Sequence, residues 1–133
     1  MFKGTIGKTI ADSEPWFETP NHPGEDAPNI VVILLDDTGF AQLGCYGSSI
    51  DTKNIDGLAA NGLQFTNFHV TPLCSPTRAA LLTGRSQHAV GMRAVSNFRT
   101  GFPNMLGHIT NQAATVSEIL STYGYATFCV GKW

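Results

Sequence analysis

The chain has 133 residues, of which 42% are hydrophobic and 14% charged, and its formal net charge is -2. This length is enough for one domain with a sizeable core, and the nearly balanced charge argues against nucleic acid as a partner. No apolar run has the length of a membrane span, and the first residues lack the apolar stretch of a signal peptide. The composition therefore predicts a globular, cytoplasmic protein without a membrane partner.

The first elements are an N-terminal extension or arm, residues 1–27, and a main domain, residues 28–133. Residues 29–35 form a continuous β-branched and aliphatic run, which predicts a strand buried on both faces, as in a parallel sheet. Asp36 and Asp37 follow at its carboxyl end, where open α/β sheets place ligands. Adjacent carboxylates suit a hard cation such as Ca²⁺ or Mg²⁺. Taken alone, however, a solvated turn or a helix N-cap is the simpler interpretation.

The middle of the chain predicts a helix, a strand and a second helix. Residues 52–61 carry apolar side chains at helical spacing, and Gly62 is a suitable stop. Residues 63–70 alternate between apolar and polar side chains, as in a strand that leads to Cys74. The next helix is expected at residues 76–82, because proline is favoured in a first turn. Cys74 is then expected just before the start of this helix.

The last third begins with a long segment rich in Gly, Asn and Pro, residues 84–112, whose length suits a substrate-pocket loop. Thr115 and Glu118 have the spacing of a capping box and predict a helix that ends at Gly124. A short apolar strand then leads to Lys132. The alternation of strands and helices predicts an α/β protein with a parallel or mixed sheet.

The most specific motif is Cys-x-Pro-x-Arg, formed by Cys74, Pro76 and Arg78 and continued through Leu81-Leu82-Thr83-Gly84. A helix N-terminus favours an anion near Cys74. Arg78 lies four residues later and can share one helix face with the cysteine. Its guanidinium suits a tetrahedral oxyanion. Isolated from the rest of the motif, the pair would be interpreted as a structural cysteine beside a surface arginine.

This motif resembles the active-site and modification motif of the type I, formylglycine-dependent sulfatases, and the chain looks like the amino-terminal portion of an arylsulfatase-like member. Residues 36–39 resemble the Asp-Asp-x-Gly segment that carries the family's first metal ligands. Residues 124–133 resemble its Gly-Tyr to Gly-Lys-Trp segment, in which a histidine normally follows. Since the sequence stops at Trp133, the resemblance implies a catalytic domain truncated at its C-terminus.

The resemblance implies an alkaline-phosphatase-like α/β sandwich with a mostly parallel central sheet, represented here by its N-terminal part only. It also implies a sulfuric ester hydrolase that acts through a formylglycine made from Cys74. Arg78 and Lys132 would be the other catalytic residues, and Lys132 would also bind the substrate. A divalent cation, with Ca²⁺ favoured over Mg²⁺, would be held by Asp36, Asp37 and the modified Cys74.

The implied partners are a small-molecule sulfate ester and a formylglycine-generating enzyme that acts on the unfolded chain. Two alternatives remain open. Some relatives that share the formylglycine motif hydrolyse phosphonate or phosphate monoesters, and the 133-residue chain could be a catalytically inactive fragment.

Overall fold

The described part of the chain is mainly helical and irregular. The computed structural model describes residues 1–19 and 22–133. Its α-helices are α1 (Lys53–Ala60), α2 (Cys74–Thr83) and α3 (Val116–Thr122). Short 3₁₀ turns occupy Ile10–Asp12, Phe40–Gln42 and Gly44–Tyr46. No helix within the described ranges has the length and apolar character needed to cross a bilayer.

The N-terminal segment makes contacts within itself. Thr5 and Glu14 form an isolated antiparallel bridge. The Trp16 ring packs edge-on against Phe2, with 6.2 Å between ring centroids, and the Lys3 ammonium lies 5.7 Å from the Trp16 ring centroid. The division into an arm at residues 1–27 and a domain at residues 28–133 stays a prediction.

The ends of α3 are those that the sequence predicts. The Thr115 hydroxyl accepts a hydrogen bond from the Glu118 N–H at 3.2 Å, and the Glu118 carboxylate accepts one from the Thr115 N–H at 2.7 Å. These two bonds satisfy N–H groups that have no partner inside the helix. Gly124 follows with φ +89°, a conformation that glycine adopts without a steric penalty. The predicted capping box and stop are therefore confirmed.

The start of α2 differs from the prediction by two residues. The helix begins at Cys74 rather than at Pro76, and Leu73 is its N-cap residue with an extended backbone. Pro76 is the third helical residue, where its missing N–H costs nothing because the first four N–H groups of a helix lack internal partners. Cys74 therefore lies inside the first turn, not ahead of it.

The predicted parallel sheet is not formed by the described residues. Their only strand-like pairings are two isolated bridges, Thr5 with Glu14 and Met92 with Met105. Three apolar segments that the sequence predicts as strands, residues 29–35, 63–70 and 126–130, make no backbone pairing with one another. A strand needs a neighbour to satisfy its N–H and C=O groups. The mostly parallel central sheet and the sandwich are thus not shown by the described residues, and both stay predictions.

These three unpaired segments are also exposed. Val31 in the first has 79% of its surface accessible, and Val130 in the third has 95%. Each segment ends at or near a residue of the predicted site, since the first leads to Asp36 and the third to Lys132. The site residues on these segments are therefore not supported by a sheet.

The buried core lies between α2 and the loop that follows it. Ala79 of α2 packs with Val90, Met92 and Ala113, and the half-buried Ile109 covers this cluster. Val90 is completely buried. The core fixes α2 against residues 84–113 and thereby fixes the helix that carries Cys74 and Arg78.

Residues 84–112 form an ordered loop held by long-range backbone hydrogen bonds. The Thr110 N–H donates to the Val90 carbonyl at 3.0 Å, and the Leu106 N–H donates to the Gly91 carbonyl at 2.8 Å. Gly91 has φ +81°, and a Cβ added there would lie 2.9 Å from a Leu106 methyl group. Glycine is therefore required at this close approach.

Candidate active site

Helix α2 supplies two of the predicted site residues from one face. Cys74 is its first residue and Arg78 lies one turn later, so their side chains project towards the same side. Both residues are half-buried. The core contact of Ala79 next to Arg78 holds this turn in place.

Asp36 and Lys132 join α2 from distant parts of the chain. The Lys132 Nζ donates to the Asp36 Oδ2 at 2.7 Å across 96 residues of sequence. Arg78 donates through one terminal nitrogen to the Lys132 carbonyl at 2.6 Å, and its other terminal nitrogen lies 3.6 Å from Asp36 Oδ1. The three predicted motifs therefore converge on one point. Asp36, Cys74, Arg78 and Lys132 are called the four-residue cluster below.

The ion pair in this cluster shifts the pKa values of both partners. The hydrogen bond from Lys132 is the main cause of a lowered pKa for Asp36, and the positive charges of Lys132 and Arg78 lower it further. The hydrogen bond to Asp36, together with the neighbouring Cys74, raises the pKa of Lys132. Asp36 and Lys132 expose 41% and 48% of their side chains, so water screens the pair and its contribution to stability is small.

The Cys74 thiol lies in a positive environment. Partial burial raises its pKa, but the neighbouring Lys132 ammonium and hydrogen bonds from Ser75 outweigh burial, so the net pKa of Cys74 is lowered. Ser75 is the second residue of α2, and the free N–H groups of a first helical turn favour a negative charge nearby. The cluster therefore favours negative charge at position 74, whether on sulfur or on an oxygen that replaces it.

Arg78 is the most enclosed charged side chain of the cluster, with 16% of its surface accessible. Its Nε is buried and has no hydrogen-bond partner among the described residues. A buried N–H without a partner is costly. This donor is therefore available to an acceptor oxygen brought by a ligand.

Asp37 is not brought into the cluster by a contact. Within residues 1–19 and 22–133 it makes no ion pair or side-chain hydrogen bond, and its φ of +52° is unusual for a residue other than glycine. The described residues contain no group of three or more His, Cys, Asp or Glu side chains placed to hold a metal ion. The assignment of Asp36, Asp37 and Cys74 as metal ligands stays a prediction.

A cleft of about 760 Å³ opens beside Arg78. One wall is formed by α2 and the other by residues 107–115, with Trp133 also lining it. Sequence reasoning assigned no role to Asn111 and Gln112, which line this cleft. The only signal for them was their position at the end of the long loop, directly before the helix cap at Thr115.

A second cleft, of about 780 Å³, lies in the loop itself and is lined by residues between Arg93 and Met105. Apolar side chains dominate it, including Phe98 and Phe102. It contains none of the four cluster residues. The two clefts are thus similar in volume but differ in their relation to the predicted site.

Comparison with known proteins gives a consistent assignment over most of the chain. A family model described as Sulfatase matches residues 28–133. Human arylsulfatase A is 47% identical over 108 residues, human arylsulfatase D 43% over 109, and human N-acetylgalactosamine-6-sulfatase 42% over 111. Each match covers 80% of this chain but only 20%, 18% and 21% of these relatives, respectively. The chain therefore spans about a fifth of the length of the curated relatives it matches.

Proposed function

The chain belongs to the sulfatase family, and on that premise we propose that the complete gene product is an arylsulfatase-type sulfuric ester hydrolase that cleaves sulfate monoesters. The observation that carries this proposal is the convergence of Asp36, Arg78 and Lys132 beside Cys74. These residues come from three separate motifs, and the contacts between them unite two cations, a carboxylate and the cysteine of the Cys-x-Pro-x-Arg motif.

Arg78 and Lys132 are proposed to bind the sulfate group. A sulfate monoester carries its negative charge on three oxygens, and a guanidinium and an ammonium on one side of it supply several charge-assisted hydrogen bonds. The unpartnered Nε of Arg78 supports this role because it offers a donor that no described residue uses. Charge stabilisation of this kind is often the largest single contribution to catalysis.

Cys74 is proposed to be the position of the nucleophile after conversion to formylglycine. That group would supply an aldehyde hydrate as an oxygen nucleophile towards sulfur, with the alcohol of the ester as the leaving group. The chain's own contribution is the positive environment at position 74, which lowers the pKa of the encoded thiol and would equally favour an ionised hydroxyl there. Conversion requires a formylglycine-generating enzyme, which we propose acts before the chain folds.

A divalent cation, preferably Ca²⁺, is proposed to bind the carboxylates of Asp36 and Asp37. Their hard oxygen donors fit such an ion, and the ion would lower the pKa of an oxygen nucleophile bound to it. Two carboxylates do not complete a coordination sphere, so further ligands must come from elsewhere in the complete protein. The Lys132 ammonium occupies one Asp36 oxygen in the present arrangement.

The unpaired segments at residues 29–35, 63–70 and 126–130 are proposed to become strands of a mostly parallel central sheet in the complete protein. Their apolar composition suits burial on both faces, and membership of the family implies an alkaline-phosphatase-like sandwich. The pairing would fix the positions of Asp36 and Lys132, because Asp36 directly follows the first segment and Lys132 follows the third after Gly131.

The experiment that tests the proposal compares sulfate and phosphate esters with the complete gene product, made in its native host. Peptide mass spectrometry first determines whether position 74 carries cysteine or formylglycine. We expect formylglycine, and hydrolysis of 4-nitrophenyl sulfate with a higher kcat/KM than 4-nitrophenyl phosphate. A preference for the phosphate ester would assign the protein to the phosphonate and phosphate monoester hydrolases instead. Full conversion without hydrolysis of either ester would contradict the proposal.

A further inference from the structure

We propose that Thr71 and Thr77 are positioning residues whose paired hydroxyls fix the direction of the side chain at position 74. The inference rests on the proposed function, because it assumes that this side chain, once converted, attacks a sulfate held by Arg78 and Lys132. It deepens that function by assigning a role to two residues outside the four-residue cluster. Thr71 and Thr77 are called the threonine pair below.

The first argument is the contact between the two hydroxyls. The Oγ1 atoms of Thr71 and Thr77 lie 2.7 Å apart, a normal distance for an O–H···O hydrogen bond. The Thr71 Oγ1 also lies 2.9 Å from the Leu73 carbonyl oxygen, and the Thr77 Oγ1 lies 3.1 Å from the Thr71 carbonyl oxygen. Each hydroxyl has one proton, so one threonine donates to its partner's hydroxyl and the partner donates to one of these carbonyls. In either arrangement the threonine pair links α2 to the segment before it.

The second argument is the N-cap position of α2. This position is occupied by Leu73, whose side chain has no polar atom that could accept a hydrogen bond. The corresponding position of α3 is occupied by Thr115, which caps its helix directly. At α2 the Leu73 carbonyl accepts the Thr77 N–H at 3.2 Å and lies within reach of the Thr71 hydroxyl. The threonine pair therefore holds the first turn, which the N-cap side chain cannot do.

The third argument is the place of the threonine pair around the cysteine. Thr71 lies three residues before Cys74 and Thr77 three residues after it, so the hydroxyl contact closes a loop of chain with the cysteine at its centre. Both threonines are half-buried, whereas Pro72 and Leu73, directly before the cysteine, are exposed. The conformation of the chain that enters the helix thus depends on the hydroxyls more than on burial.

Packing fixes the rest of α2. Ala79, next to Arg78, is buried in the core, and Pro76 is buried as well. These contacts hold the axis of the helix, whereas the threonine pair holds the chain that enters it at Cys74. Loss of either hydroxyl is therefore expected to move the nucleophile and leave the guanidinium in place. Such a change lowers kcat and leaves KM nearly unchanged.

The test measures kcat and KM of the complete gene product for 4-nitrophenyl sulfate, per mole of formylglycine determined by peptide mass spectrometry. Thr71→Val and Thr77→Val each remove a hydroxyl and keep the shape of the side chain. We expect kcat to fall about 10- to 100-fold in each, as a nucleophile misplaced by about 1 Å predicts, while KM stays within about twofold. Thr71→Ser and Thr77→Ser should keep kcat within about threefold of wild type, because serine offers the same donor and acceptor.

Two further variants separate positioning from the general loss of a hydroxyl. In the double variant Thr71→Val/Thr77→Val, kcat should fall no further than in either single variant, because the two hydroxyls act as one unit. Thr122→Val is the matched control, since the Thr122 hydroxyl also donates to a backbone carbonyl, that of Ile119 at 2.7 Å, but in α3. Its kinetic constants should match those of wild type.

Amide hydrogen exchange of the complete gene product reports on the threonine pair without any measurement of activity. The Thr77 N–H should exchange about fivefold faster in Thr71→Val than in wild type, as the loss of one neutral hydrogen bond predicts. Amides of α3 should be unchanged. Thr71 lies outside the Cys-x-Pro-x-Arg motif, so Thr71→Val tests the proposal even if a substitution at Thr77 prevents conversion to formylglycine.

The outcomes separate this inference from the proposed function. Valine variants with wild-type kcat, serine variants that do not restore kcat, or effects that add in the double variant would overturn the role of the threonine pair. A rise in KM together with a lower urea midpoint would assign the hydroxyls to stability alone and would overturn it as well. A wild type that carries formylglycine but hydrolyses no sulfate ester would overturn the proposed function and the positioning role together. Unchanged exchange at Thr77 would show that the hydroxyls do not hold the turn, whatever the activity.

Discussion

Two regions of the molecule carry apolar side chains, but only one of them buries these side chains in a core. Around α2, residues 74–113 bury Val90, Met92 and Ala113 against the Ala79 face of the helix. The three unpaired segments, such as residues 29–35, are at least as apolar but remain exposed. The core of the first region lies within residues 79–113, whereas the three unpaired segments are spread between residues 29 and 130, and each needs a neighbouring strand to pair with.

The four-residue cluster lies where these two regions meet. Cys74 and Arg78 stand on the packed helix, while Asp36 and Lys132 stand at the ends of unpaired segments. In the present structure the cluster is joined mainly by its own charges and by the bond from Arg78 to the Lys132 carbonyl. The helix gives one half of the site a fixed position, and the other half depends on ion pairs.

The largest effect is expected at the packed half of the cluster. Cys74→Ala in the complete gene product should reduce kcat/KM for a sulfate ester at least about 1,000-fold, because it removes the only source of the proposed nucleophile. Cys74→Ser supplies one hydroxyl but lacks the second hydroxyl of the formylglycine hydrate, so it should give at most a single turnover. Stopped-time product assays measure both variants, and Cys45→Ala is the control. Multiple turnover by either position-74 variant would refute the nucleophile assignment.

The second largest effect on activity is expected at Lys132, in the half of the cluster that follows the unpaired segments. Lys132→Met should lower kcat/KM by about 100- to 1,000-fold, as expected when one charged group that stabilises a transition state is lost. The matched control is Lys53→Met at the exposed start of α1, which should stay within about twofold of wild type. Steady-state kinetics of the complete gene product provide the measurement. Equal activity of the two variants would remove Lys132 from the proposed site.

A matched pair of valines tests the difference between the two regions directly. In the 133-residue chain, Val90→Ala should lower the free energy of unfolding by about 2 kcal/mol, because it removes two buried methyl groups. Val31→Ala should have an effect below about 0.5 kcal/mol, since this side chain is exposed. Urea unfolding followed by circular dichroism measures both.

The same two substitutions can also be measured in the complete gene product. If residues 29–35 become a buried strand there, Val31→Ala should cost about as much as Val90→Ala. If Val31→Ala leaves the free energy of unfolding of the complete protein nearly unchanged, the proposed sheet is contradicted.

The smallest effect concerns pH. The lowered pKa of Asp36 means that its ion pair contributes above the ordinary carboxyl pKa and is lost as the pH falls through the folded value. The raised pKa of Lys132 means that the contribution is lost again as the pH rises through its folded value. In metal-free protein the pair should thus persist between roughly pH 4 and pH 10. NMR titration of the Asp36 carboxyl carbon should give a higher midpoint in Lys132→Met than in wild type; identical midpoints would exclude the pair in solution.

Local signals in the sequence predicted the helices well. The capping box at Thr115 and the stop at Gly124 were correct because both depend on residues a few positions apart. The start of α2 was misplaced by two residues because proline is tolerated at any position of a first turn. The predicted strand at residues 29–35 is not formed here because an apolar run specifies a preference for burial, not the neighbour that provides it.

The candidate site could likewise be predicted from the sequence only in part. The motifs identified Asp36, Asp37, Cys74, Arg78 and Lys132 individually. The structure brings all of these except Asp37 together, and their assignment as site residues stays a prediction. The bond between Arg78 and the Lys132 carbonyl could not be read from the motifs, because it joins a side chain to a backbone atom 54 residues away. Nor could the cleft beside Arg78, whose walls are distant in sequence.

The family of this protein, the residue types of its proposed site and the approximate limits of its short helices could be predicted from the sequence, because each depends on a motif or on interactions within a few residues. The folded structure was needed to see that Lys132 pairs with Asp36, that no described residue uses the buried Nε donor of Arg78, and that a cleft adjoins the cluster. These features depend on distances between segments remote in sequence, and such distances follow from packing rather than from local preference.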